Sequence, residues 1–89
     1  MSIYVEIFAS PGCGKCGKAK AAIRQLVKEI GNKQIQWHEV DVVEELDYAV
    51  ELGVLATPSI VIDKQLVFTS MPSVGQLRRE LRVRLENSV

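Results

Sequence analysis

Two cysteines stand three apart in Gly12-Cys13-Gly14-Lys15-Cys16, and they are the only thiols of the 89-residue chain. On a helix, a spacing of three puts both sulfurs on one side of the first turn, close enough to bond to each other. Such a pair can cycle between dithiol and disulfide. Thiolate is the attacking form of cysteine, and a helix N-terminus favours it through unpaired backbone N–H groups and the positive end of the dipole. Lys15 and Lys18 add positive charge nearby. Cys13 is therefore the expected nucleophile. Cys16, one turn inward on an apolar stripe, is expected to resolve the mixed disulfide left on Cys13.

Other uses of two cysteines are less well supplied. They could simply be core, since cysteine is often buried. A structural zinc needs about four ligands, and His38 is the only other soft donor in the chain. A bridge between residues so close together constrains little of the unfolded chain, so a purely structural staple gains little. What favours redox chemistry is the setting, because CxxC beside a βαβ pattern in a cytosolic protein is a redox signature.

The elements that must position this pair are legible in the periodicity. Residues 3–8 form a nearly continuous apolar run broken by Glu6, as expected of a central strand. A Ser10-Pro11-Gly12 turn leads to a helix over 13–30, whose Cys16, Ala19, Ile23, Leu26, Val27 and Ile30 share a face, with Gly31 as its stop. Residues 35–42 read as an edge strand, its polar Gln36, His38, Glu39 and Asp41 facing water. Asp41 with Glu44 resembles a capping box opening a short helix that runs through Leu52 and closes at Gly53. Residues 59–62 and 66–68 flank the polar stretch Asp63-Lys64-Gln65 and predict an antiparallel hairpin. Ser73 with Gln76 opens the last helix, striped by Val74, Leu77, Leu81 and Leu85. The order is βαβαββα, an α/β domain over residues 1–89 with a mixed four-stranded sheet and helices on both faces.

Composition narrows the function. The chain is 47% hydrophobic and 25% charged, values of a globular domain, and its 89 residues hold one core. Eleven basic against eleven acidic residues leave no net charge, which argues against a nucleic-acid or polybasic membrane binder. The N-terminal residues lack a secretory signal and no run is long enough to span a membrane, so a cytoplasmic location is expected. The charge is nonetheless uneven. Residues 15–33 hold six basic and one acidic residue, whereas 34–63 hold seven acidic and no basic ones. Two oppositely charged faces follow, and the basic one beside the cysteines can steer acidic partners.

The chain resembles the thioredoxin superfamily, in particular its short, glutaredoxin-sized members. The resemblance rests on Phe8-Ala9-Ser10-Pro11-Gly12-Cys13-Gly14-Lys15-Cys16, on Gly53 to Ile62 with Thr57-Pro58 before a strand, and on the element order. It implies a thioredoxin-like fold and a thiol:disulfide oxidoreductase that reduces protein disulfides. It also implies that Cys13 attacks, Cys16 resolves, Gly14 and Lys15 intervene, and Pro58 is a cis-proline facing the pair. Thr57 before it would be left free to pair with an extended substrate segment. No cofactor beyond the reversible Cys13–Cys16 disulfide is implied, nor any metal. The implied partners are disulfide-containing proteins and a recycling flavoprotein reductase, acting on a monomer.

Departures from the family pattern sharpen this reading. Full thioredoxins carry a buried Asp six residues before the first Cys, where this chain has Ile7. Glu6 is adjacent, but strand alternation turns it to the opposite face, where pairing with a lysine of the first helix is the plainer role. The paired-glycine and acid motif of glutathione-using glutaredoxins is absent from Phe68 to Ser73, which favours a protein partner over glutathione. A glutathione-linked glutaredoxin and a noncatalytic metal- or protein-binding module remain the alternatives. Trp37 is expected to pack, His38 to be a solvated edge residue, and Met71 and Pro72 to rim the redox site.

Overall fold

The computed structural model describes residues 2–31 and 34–87. Strands β1 (Ile3–Ala9), β2 (Ile35–Asp41), β3 (Ser59–Ile62) and β4 (Gln65–Phe68) alternate with helices α1 (Cys16–Ile30), α2 (Leu46–Leu52) and α3 (Val74–Asn87) in the expected order. They form one sheet ordered β2-β1-β3-β4. Strand β1 pairs in parallel with β2, and antiparallel with β3, which in turn is antiparallel to β4. Among the described residues no helix is long and apolar enough to cross a membrane.

Alternation along β1 divides the interior in two. Ile3, Val5 and Ile7 face α1 and α3, packing with Ile23 and Leu26 of the first helix and Leu77 and Leu81 of the last. Phe8 faces the other way with Val61, Val40 and Ala49 of α2. A central strand covered on both faces explains the nearly continuous apolar run of its sequence. Trp37 lies partly buried against the first cluster, as its alternation with Ile35 predicts. Met71 packs partly buried against that same core, and Pro72 is buried.

Several boundaries differ from the sequence reading, most by a single residue, and the larger shifts have local causes. Helix α1 begins at Cys16 rather than Cys13, because the Cys13 N–H donates to the Ser10 carbonyl at 3.2 Å and closes a turn over Pro11 and Gly12. Gly12 has φ +80°, a conformation that L side chains resist. Helix α2 begins at Leu46 and not after Asp41. The Asp41 carboxylate accepts from the Val43 N–H at 2.8 Å, an Asx turn that spends the cap two residues away instead of on Glu44. Gly53 does close α2, with φ +84°. The hairpin loop is shorter than expected, since Ile62 pairs with Gln65 and leaves only Asp63 and Lys64 in the turn.

Both turn residues have positive φ, 48° and 68°, which usually selects Asn-Gly. Specific contacts hold them there. Asp63 bonds β1 twice, its N–H donating to the Tyr4 carbonyl and its Oδ1 accepting from the Tyr4 N–H, both at 2.9 Å. Lys64 donates to the Tyr48 hydroxyl at 2.6 Å. At the start of α3 the capping box is reciprocal, Ser73 N–H to Gln76 Oε1 at 3.0 Å and Gln76 N–H to Ser73 Oγ at 3.1 Å.

Candidate redox site

The end of β1 delivers the chain into the Ser10–Cys13 turn, and α1 takes it up at Cys16, so both cysteines sit beyond the C-terminal end of the central strand β1. They are joined as a disulfide, S–S 2.13 Å and Cα–Cα 5.5 Å. Cys13 lies in the turn before the helix and is half-buried, whereas Cys16 is its first residue and 5% exposed. The outer sulfur is thus the one a large partner can reach. Lys15, the N-cap of α1, makes no side-chain capping bond and is exposed together with Lys18. Gly14 is exposed, and a Cβ added there would meet nothing within 4 Å, so glycine is not sterically required at that position.

A loop distant in sequence is tied to the redox turn. The Thr57–Pro58 peptide bond is cis, as the resemblance implied, and Pro58 is buried. The Ser10 and Thr57 hydroxyls share a hydrogen bond of 2.8 Å, tying the redox turn to the loop before β3. The sequence reading treated Ser10 as a turn residue only. Its hydroxyl role depends on a contact across 47 positions, which no local pattern signals. Beside the sulfurs lies a cavity of about 290 Å³, whose lining includes Cys13, Cys16, Lys20, Glu39 and Asp41.

Glu6 is elsewhere. It is 3% exposed and faces α2, where both its carboxylate oxygens accept from the Tyr48 hydroxyl at 2.7 and 2.8 Å. The expected partner, a lysine of the first helix, is therefore replaced by Tyr48 of α2, with Lys64 of the hairpin behind it. Burial pushes the Tyr48 phenol above its ordinary value, and the hydrogen bond to Tyr48 raises Lys64. His38 is exposed on the edge strand and borders a second, larger cavity of about 710 Å³ with Glu6, Tyr48 and Lys64, apart from the cysteines. Among the described residues no group of three or more His, Cys, Asp and Glu is placed to hold a metal.

A family profile described as a thioredoxin domain matches residues 1–82. The chain belongs to this family. It is 30% identical to a probable thioredoxin of Methanothermobacter thermautotrophicus over 86 residues, covering 97% of this chain and 100% of that one. It also matches NADPH-dependent thioredoxin reductase 3 of Arabidopsis thaliana at 25% identity over 84 residues, 94% of this chain but 16% of the plant protein. Among solved structures, thioredoxin-2 of a malaria parasite superposes with TM-score 0.79 at 20% identity, over 92% of this chain and 82% of that one, and shows the same fold. The protein is a thiol:disulfide oxidoreductase of the thioredoxin type, a protein-disulfide reductase with a CxxC redox-active disulfide.

Proposed function

We propose that the Cys13 thiolate attacks a disulfide of a protein substrate and that Cys16 then releases the reduced product. The observation that carries this division of labour is the difference in burial between a half-exposed Cys13 and an almost enclosed Cys16. Attack breaks the substrate S–S bond, forms Cys13–S–S–substrate and expels one substrate thiolate. The Cys16 thiolate then attacks the Cys13 sulfur, forms the intramolecular disulfide and expels the second substrate thiolate. Two electrons pass to the substrate, both thiolates take up protons, and no other cofactor enters.

Gly14 and Lys15 shape the turn between the sulfurs, and Thr57 and Pro58 form the wall against which an extended substrate segment pairs. An apolar surface adjoins this wall. Leu55 is 94% exposed, and it shares with Leu46, Ala49 and Thr57 a cavity of about 240 Å³. A surface of this kind fits apolar side chains flanking a protein disulfide better than the polar glutathione tripeptide.

The protein acts as one unit over residues 1–89, a monomer in the cytoplasm with neither nucleic acid nor membrane as partner. A flavoprotein reductase drawing on a nicotinamide recycles it. Its likeness to a segment of an NADPH-dependent thioredoxin reductase favours that electron source. The test is reduction of insulin disulfides with recycling by NADPH and a thioredoxin reductase, run in parallel with glutathione and glutathione reductase. Turnover in the first arm is expected. Turnover confined to the glutathione arm would sink this reading, as would copper or zinc held through the cysteines under reducing conditions. With an acidic substrate the rate should also fall as salt rises, because Lys15 and Lys18 are exposed beside the cysteines.

A further inference from the structure

When Cys16 attacks the mixed disulfide its thiol must first lose a proton, yet it is 5% exposed and has little access to bulk water. The position from which full thioredoxins present a buried Asp is here Ile7, fully enclosed in the apolar core. Glu6 cannot substitute, since it lies on the other face of the sheet under the Tyr48 hydroxyl. A different carboxylate borders the cavity beside the sulfurs. Glu39 is the partner of Ile7 in the parallel β1–β2 register, one strand over and on the same face. Its Oε2 is held at 2.7 Å by the Lys20 Nζ. Lys20 stands four residues after Cys16 on α1, hence on the adjoining turn of the same helix face. Both residues border the cavity of about 290 Å³ that the two sulfurs share. Water occupies about 30 Å³ per molecule in the liquid, so the cavity has room for a water chain between thiol and carboxylate.

We propose that Glu39 is the proton acceptor for Cys16 in the resolving step, acting through cavity water, with Lys20 as the tether that holds it over the sulfurs. This rests on the two-step exchange proposed above. The Cys16 S–H bond breaks, its proton passes to the Glu39 carboxylate, and the thiolate electron pair forms the S–S bond to Cys13. The Cys13–substrate bond breaks, and the departing substrate thiolate collects its proton from Glu39 or from solvent. Asp41 is the other carboxylate of this cavity, but its Oδ1 is engaged by the Val43 N–H at 2.8 Å. Across the strand, Glu39 also borders the larger cavity with its titratable Glu44, Glu45, His38, Tyr48, Lys64 and Tyr4. That cavity does not contain the sulfurs, and the buried Glu6 on it is bonded to Tyr48.

Reaction of the reduced protein with one equivalent of dithionitrobenzoate separates the steps. The first coloured thiol is released by attack of Cys13 and the second by resolution through Cys16. Glu39→Gln is expected to leave the first phase unchanged and to slow the second about 100-fold below pH 8, the lower end of the range for a side-chain base. The gap should close by about pH 9.5, above the ordinary thiol value, where hydroxide removes the proton unaided. Glu39→Asp should restore most of the rate, which a merely structural role would not require. The proposal is overturned if both phases of Glu39→Gln superimpose on the parent at every pH, or if its slow second phase persists undiminished at high pH. A parent protein that releases only one thiol would instead refute the two-step exchange, and this assignment with it.

Discussion

Replacing Cys13 by Ser is expected to lower the rate of insulin-disulfide reduction by at least about 10³-fold, to the background of the reductant alone, because a serine hydroxyl at neutral pH supplies no comparable nucleophile. Cys16→Ser should fail differently. Cys13 still attacks, so the substrate becomes covalently attached, and with no resolving thiol the adduct accumulates after a single turnover. A non-reducing gel or intact-mass measurement would show protein plus substrate, released by excess dithiothreitol, and the double variant should form none. The asymmetry follows from the burial of the sulfurs, since Cys16 is enclosed and a large substrate cannot reach it in place of Cys13. Turnover by both single variants would refute the mechanism. Sustained turnover of Cys16→Ser with glutathione would instead show monothiol chemistry on glutathionylated substrates, which Cys13 alone could perform.

Much of this architecture is legible in the sequence, and for a physical reason. Apolar spacing of three and four along α1 and α3, and the nearly continuous apolar run of β1, report burial directly. The reciprocal Ser73–Gln76 cap is a local pattern and was read correctly. The start of α1 was misplaced because the Ser10–Cys13 turn competes with the helix for the same residues, and periodicity cannot see a backbone hydrogen bond. Asp41 is ambiguous in sequence because its carboxylate can cap a helix or close an Asx turn with equal local chemistry. Contacts of long sequence separation were beyond reach. Ser10 meets Thr57 and Glu6 meets Tyr48 only through the folded sheet. Glu39 comes to border the cavity of the cysteines only because parallel register sets it opposite Ile7. The cysteine pair was the exception, since its spacing and its place at the end of the first strand are both local.

Tyr48→Phe is expected to destabilise the fold by about 2–4 kcal/mol while leaving the redox chemistry intact wherever the variant remains folded. The hydroxyl it removes is the donor to both oxygens of Glu6, a carboxylate only 3% exposed. The ring stays, and with it the packing against Phe8 at a centroid distance of 5.8 Å. What is lost is therefore the satisfaction of a buried charge, the case in which removing one partner costs more than the pair contributes. Lys64 loses its hydroxyl acceptor as well, in a turn whose two positive-φ residues already depend on side-chain contacts. Glu6→Gln retains a carbonyl acceptor for the phenol without the charge, so its cost should be distinctly smaller. Combining Glu6→Leu with Tyr48→Phe replaces both polar groups by apolar ones and should recover much of the stability lost by Tyr48→Phe alone. Urea unfolding of the three variants against the parent measures this ordering. Equal stability of Tyr48→Phe and the parent would refute the structural role of the pair, whereas loss of disulfide reduction in folded Tyr48→Phe would place Glu6 in the chemistry despite its position on the opposite face.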